Sequence, residues 1–260
     1  MENIPSSQEL FDVSGKVAIV TGATGAFGAA AAMGLAKAGA KVMCTGRKAE
    51  TLEPLVEMIT EAGFTAVYEP GDPTSHEDNK RIVAKTVEAF GGVDIVVTAA
   101  GYNKPGSIVD QPVEEWETIM DVNVKGTWLM LKEAGKVMIE QGRGGKVIIV
   151  SSTRGKLGMA NYTAYSPSKA ATDLITKSLG CEWGPHRINV NAIAPTVFRS
   201  ALTQWMFDDD AFYKNFLRRI PIGRLGEPED FIGSILFLSS KASDFMTGAI
   251  LYVDGGYTAG

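Results

Sequence analysis

The chain has 260 residues, 45% hydrophobic and 21% charged, a composition that fits one large globular domain or two small ones rather than a disordered chain. A formal net charge of -5 excludes a broad electrostatic grip on nucleic acid, while leaving room for a small anion held locally. No apolar run reaches the length that spans a bilayer and the opening MENIPSSQELFDVSGK is polar, so a cytoplasmic protein with no membrane partner is expected.

Residues 16–22, KVAIVTG, read as a buried strand, and AAAAMGLAKAGA at 29–40 reads as a helix closed by glycine. Between them, VTGATGAFG supplies Gly22, Gly25 and Gly28. Glycines here allow a tight turn and close backbone approach, and free N–H groups at the helix start face an anion. A glycine pattern alone is weak evidence, but its place after the first strand of an alternating chain points to a dinucleotide. The second strand, KVMCTG at 41–46, ends in Gly46, Arg47 and Lys48 where an acid would meet the ribose diol of NAD. Cations at a helix start oppose its dipole, and a ribose 2′-phosphate gives them a purpose. NADP(H) is therefore the expected cofactor, with NAD(H) as the alternative if Arg47 and Lys48 are a solvated surface pair.

Further strands are expected at 65–70, 93–101, 145–152, 188–195 and 249–256, with helices near 48–61, 75–90, 113–141, 161–182 and 227–238. Apolar strands alternating with helices predict an α/β fold, a doubly wound parallel sheet covered on both faces. Its ligands belong at the carboxyl ends of the strands. No linker, repeat or charge block divides the chain, so residues 1–260 form one domain. The irregular stretch 196–222 is its expected substrate lid. Cys44 and Cys181 are expected as two buried free thiols.

Ser151 and Ser152 end the fifth strand, and Tyr165 and Lys169 follow in YSPSK, four apart and so on one helical face. Pro167 places the helix start close to Tyr165. A phenol of pKa about 10 needs roughly 4 kcal/mol to titrate near neutrality. One positive charge about 4 Å away at an effective dielectric near 20 supplies a comparable amount. Lys169 thus makes Tyr165 a candidate proton donor and acceptor, and Ser152 a candidate for orienting a carbonyl or hydroxyl.

With TGATGAFG, DVNVKG, SSTRG, YSPSK, INVNAIAP and ILYVDGG in place, the chain resembles the short-chain dehydrogenase/reductase family along nearly its whole length. GRKAETLE and the last forty or so residues look most like its branch of gluconate 5-dehydrogenases and related sugar-acid or polyol dehydrogenases. The resemblance implies Tyr165 as general acid/base, and Lys169 as ribose ligand that lowers the tyrosine pKa. It implies Ser152 as the substrate-positioning hydroxyl and Asn123 as support for a proton-relay water. It assigns the cofactor to Gly22, Thr24, Gly25, Ala26, Phe27, Gly28, Arg47, Lys48, Asp72, Ala100, Gly101, Tyr165, Lys169, Pro195, Thr196, Val197 and Ser200, with Asp72 at the adenine. It also implies a homotetramer or homodimer acting on a small-molecule alcohol or ketone. Departures are Ala26 at the middle glycine, TAAG with Thr98 and Ala99 for two asparagines, Thr196 after Pro195, and Ser200 in place of threonine.

Substrate contacts are expected from Arg154, Asn161 and Trp205, with Lys156 assisting Arg154. A carboxylate or hydroxyl-rich substrate suits the cations. An apolar cyclic or aromatic ketone suits an aromatic lid of Trp205, Met206, Phe207, Phe212 and Phe216, whose spacing also fits plain packing. Asp208–Asp210 read as a polar loop or helix cap rather than a metal site. A non-catalytic nucleotide-binding sensor is the competing class of function.

Overall fold

The computed structural model describes residues 4–200 and 203–260, except the side chains of Trp205 and Phe212. Seven strands form one wholly parallel sheet: β1 (Val17–Thr21), β2 (Lys41–Gly46), β3 (Ala66–Pro70), β4 (Ile95–Thr98), β5 (Gly145–Val150), β6 (Ile188–Pro195) and β7 (Ile250–Val253). Their order across the sheet is β3-β2-β1-β4-β5-β6-β7. Every residue of β1 and β4 is buried, as expected of β-branched runs covered on both faces. The chain starts in mid-sheet, winds to one edge, then crosses back so that β4 pairs with the free side of β1. That reversal opens a crevice above the carboxyl ends of β1 and β4.

The helices are α1 (Ser7–Phe11), α2 (Ala26–Lys37), α3 (Ala49–Glu61), α4 (His76–Phe90), α5 (Val113–Met120), α6 (Gly126–Gln141), α7 (Tyr165–Trp183), α8 (Gln204–Asp208), α9 (Asp210–Leu217) and α10 (Pro228–Ser239). Leu35 of α2, Leu52 of α3 and Phe231 and Ile235 of α10 close one face of the sheet together with Val20, Val97 and Ile148. Ile82 of α4, Met130 and Met138 of α6 and Trp183 of α7 close the other against Ile19, Val96 and Ile149. A third, smaller cluster of Ile220, Leu225 and Tyr257 draws in Phe207, Tyr213 and Phe216 and holds α8 and α9 against the main body.

Each expected strand and helix is present. The single helix expected over 113–141 is two, α5 and α6, joined by a π-helical turn over Asp121–Lys125. The apolar spacing runs through that turn without a break, so nothing in the pattern announces it. The expectation for the thiols is half corrected. Cys44 is buried within β2, but Cys181 near the end of α7 is exposed, because its side of that helix does not face the sheet. No helix of the described residues is long and apolar enough to cross a membrane.

Candidate active site

A cavity of about 600 Å³ lies in the crevice, within the usual range of ligand pockets. Its walls include Gly22, Thr24 and Gly25 after β1, Gly46 and Arg47 after β2, Asp72 after β3, and Ala100 and Gly101 after β4. The first turn is shaped by absent side chains. Gly22 has φ +60, and a Cβ there would stand 2.6 Å from Ala100 N. A Cβ on Gly28 would stand 2.1 Å from the Gly22 carbonyl oxygen. Backbone is thus packed directly on backbone. Ala26 opens α2, so a methyl at that departure from the family pattern is accommodated. Phe27 turns its ring away into the core, 5.1 Å from Phe198 and 4.8 Å from Phe231. Only its backbone belongs to the turn.

Arg47 is exposed on the cavity wall and has no ion-pair partner among the described residues. A Cβ on Gly46 would meet nothing closer than 3.6 Å, so the glycine leaves open space beside it. These features fit a phosphorylated dinucleotide: a backbone cradle no larger residue could form, a helix start, and an uncommitted guanidinium. Lys48 is the N-cap of α3 and Asp72 accepts from the Thr74 amide and hydroxyl at 2.8 Å each. Thr98 Oγ1 is buried without a hydrogen-bond partner among the described residues.

Two of the catalytic candidates lie directly behind Gly101 of the cavity wall. A Cβ on Gly101 would lie 3.6 Å from Asn123 Oδ1 and 3.7 Å from Lys169 Nζ, so both groups pack next to this lining residue. Asn123 sits in the π turn, 1% exposed, and donates from Nδ2 to the Tyr102 carbonyl and to Ser168 Oγ, both at 2.9 Å. The Tyr102 amide donates to its Oδ1 at 2.7 Å. With both N–H groups committed, Asn123 can meet a water only as an acceptor. The widened turn aims this side chain inward, as π turns at functional sites commonly do. Tyr165 is the first residue of α7, and Ser168 Oγ donates to its carbonyl at 2.7 Å.

The electrostatics differ from the expectation in one respect. Burial pushes the Tyr165 phenol up to about 12, against a hydrogen bond with Ser152 and the positive charge of Arg154. Lys169 does not lower it here, because Nζ donates to the Val150 carbonyl at 2.8 Å and stands over the ring, 5.7 Å from its centroid, instead of at the oxygen. The ammonium is itself pushed down to about 8 by burial, opposed by the charge of Asp173. Asp173 lies one turn beyond Lys169; burial raises its carboxyl, while a hydrogen bond with Ser151 and the charges of Lys169 and Lys177 lower it. Its carboxylate would lie 2.4 Å from a Cβ on Gly155, so the glycine of SSTRG makes room for it.

On the substrate side, Arg154 is buried, 8% exposed. It donates from Nη1 to the Gly158 carbonyl at 3.2 Å and from Nη2 to the Tyr257 hydroxyl. Lys156 instead reaches the Thr258 carbonyl and lies over the Tyr252 ring. Asn161 has φ +67, is exposed, and accepts from the Gly106 amide through its carbonyl. The Trp205 side chain lies outside the described residues. Pro195 ends β6, and Val197 packs in the third cluster. Thr196 lines a separate cavity of about 200 Å³, and Ser200 is bonded to Thr203, so this segment is not part of the main cavity wall. Asp208 accepts from Gln204 and Asp209 from the Ala211 amide. No cluster of His, Cys, Asp or Glu among the described residues could hold a metal. Sequence reasoning missed Ser168, Asp173 and Tyr257. Asp173 repeats the four-residue spacing of Tyr165 and Lys169, whereas nothing local marks Tyr257.

A family model described as Enoyl-(Acyl carrier protein) reductase matches residues 22–258. An uncharacterized oxidoreductase of Mycobacterium tuberculosis is 47% identical over 255 residues, covering 96% of this chain and 93% of that protein. The 5-keto-D-gluconate 5-reductase of Escherichia coli is 34% identical, with 95% and 97% covered. Among solved structures, a gluconate 5-dehydrogenase from Burkholderia cenocepacia in complex with NADP and tartrate superposes with a TM-score of 0.94 at 30% identity, covering 98% of this chain and 100% of its own.

Proposed function

The chain belongs to the short-chain dehydrogenase/reductase family, NAD(P)-dependent enzymes that act on hydroxyl groups, and from that premise we propose an NADP-dependent oxidoreductase. It interconverts a secondary alcohol and a ketone on a polyol, sugar acid or related hydroxy compound. The observation that carries this reading is the meeting of Ser152, Tyr165 and Lys169, the phenol hydrogen-bonded to Ser152 and the ammonium over its ring, with Lys169 Nζ beside Gly101 of the cavity wall. Gly22, Gly25 and Gly28 would hold the pyrophosphate against the start of α2, and Arg47 the 2′-phosphate. When bound, the cofactor supplies or accepts hydride at the substrate carbon.

Ser152 holds the carbonyl oxygen by hydrogen bonding, and Tyr165, whose phenol keeps its proton at neutral pH, delivers that proton to it. The hydrogen bond with Ser152 and the charge of Arg154 oppose the cost of the phenolate left behind. Lys169, kept charged by Asp173, is positioned by the Val150 carbonyl to hold the nicotinamide ribose. Two further observations support a polar substrate: the buried guanidinium of Arg154, and relatives whose names specify gluconate and keto-gluconate, one of them holding tartrate. An apolar ketone is less well served, since Phe207, Tyr213 and Phe216 are spent packing against the third cluster.

The test is a screen of polyols, sugar acids and cyclic ketones by NADPH absorbance, repeated with Tyr165→Phe. The variant should lose roughly 100-fold or more in turnover while binding NADPH as before. An unchanged rate removes Tyr165 from the mechanism, and no turnover by the wild type on any compound leaves the sensor as the better reading. For the cofactor, Arg47→Ala should weaken NADPH roughly 10- to 100-fold and NADH little. Equal losses would show that Arg47 does not read the 2′-phosphate.

A further inference from the structure

The guanidinium of Arg154 is buried with no carboxylate within ion-pair distance among the described residues. An arginine carries five N–H donors, and the Gly158 carbonyl and Tyr257 hydroxyl occupy two groups of them. A cation removed from water and left without an anion is costly, and proteins tolerate that cost where a ligand supplies the counter-charge. Neither nearby acid pairs with it. Asp254 accepts from the amides of Gly256 and Thr258 and from the Thr258 hydroxyl. Asp173, one of whose oxygens is buried without a hydrogen-bond partner among the described residues, faces Ser151 and the charges of Lys169 and Lys177.

Tyr257 is built to hold this guanidinium still. It is 1% exposed, stacked on Phe216 at 5.5 Å, with the Arg219 guanidinium 4.4 Å over its ring and that of Arg154 5.3 Å from it. The Arg154 amide donates to Ser152 Oγ at 3.1 Å, which fixes the two residues relative to each other, and the Arg154 charge is felt at the Tyr165 phenol. We propose that Arg154 binds the carboxylate of a hydroxy or keto acid, and that Tyr257 is the positioning residue that orients it. The inference rests on the proposed function and sharpens it: the substrate is an acid, and its anionic end lies on the Arg154 side of Ser152 and Tyr165.

The test uses D-gluconate, L-tartrate and malonate as carboxylate probes and D-sorbitol as a neutral one, on the full chain, with saturating NADPH for the binding measurements and saturating NADP+ as hydride acceptor for turnover. Calorimetry gives binding, and turnover gives kcat/KM for the gluconate–sorbitol pair. Arg154→Gln should reduce the acid-over-polyol preference roughly 10- to 100-fold, the size of a lost charge-assisted contact. Arg154→Lys should recover part of it. Tyr257→Phe keeps the packed ring and removes only the hydroxyl; it should lower the same preference several-fold, chiefly through KM. Equal losses for acid and neutral probes would mean a merely structural role and overturn the proposal, as would no binding of any carboxylate by the wild type. Carboxylate binding that depends on Arg154 without any turnover would sustain this site while refuting the oxidoreductase. Turnover of sorbitol with an Arg154-insensitive acid preference would do the reverse.

Discussion

At Lys169 function and stability oppose each other. The folded-state pKa is depressed from 10.5 to about 8, so below pH 8 the fold carries a buried ammonium that it disfavours. Between pH 8 and 10.5 the unfolded chain binds more protons than the folded one, so this cost is relieved as pH rises. Lys169→Met should therefore abolish turnover yet stabilise the cofactor-free protein by about 1–3 kcal/mol at pH 7, after losing the Val150 hydrogen bond. Urea denaturation at pH 7 and pH 9.5 checks it: the advantage of the variant should shrink at the higher pH. An advantage that is the same at both would show that burial of charge is not its origin. The nearness of Tyr165 and Lys169 was legible from their four-residue spacing. The state of the phenol was not. It depends on how deeply α7 is covered and on where Nζ finds its acceptor, and neither is written in the local pattern.

Among the elements, the turn from β1 into α2 has the least tolerance. Gly28→Ala would force a methyl against the Gly22 carbonyl, and we expect a loss of about 1–3 kcal/mol in stability and at least tenfold in NADPH affinity. Gly25→Ala meets the same oxygen at 3.3 Å with an ordinary φ of -79 and should be several times milder, measured by fluorescence titration with NADPH. If the two variants behave alike, backbone-on-backbone packing does not govern the turn. The strands were legible because each is a short apolar run bounded by glycine, aspartate or proline. The turn at Asp121–Lys125 was not, since one extra residue in a helical turn leaves the apolar stripe continuous while rotating Asn123 inward. For Thr196–Ser200, motif order located the segment, while its local contacts, Thr196 on the smaller cavity and Ser200 on Thr203, depend on a loop with no regular pattern.

For the whole molecule, alternating strands and helices were sufficient to read a doubly wound sheet, because parallel strands leave few other ways to cover both faces. What they could not give was the closure of the substrate side, where Arg154 meets Tyr257 across 103 positions of sequence. Contacts of that separation come from the tertiary fold alone. The sheet order also constrains how the protein is made. Strand β1 is flanked by β2 and β4, and Ala18 pairs with Ile95. On the ribosome, β1, β2 and β3 emerge first with one border of β1 bare, and it stays bare until β4 has been synthesised. Nascent chains stalled before that point present an unpaired apolar edge, the species on which chaperones would be expected to act.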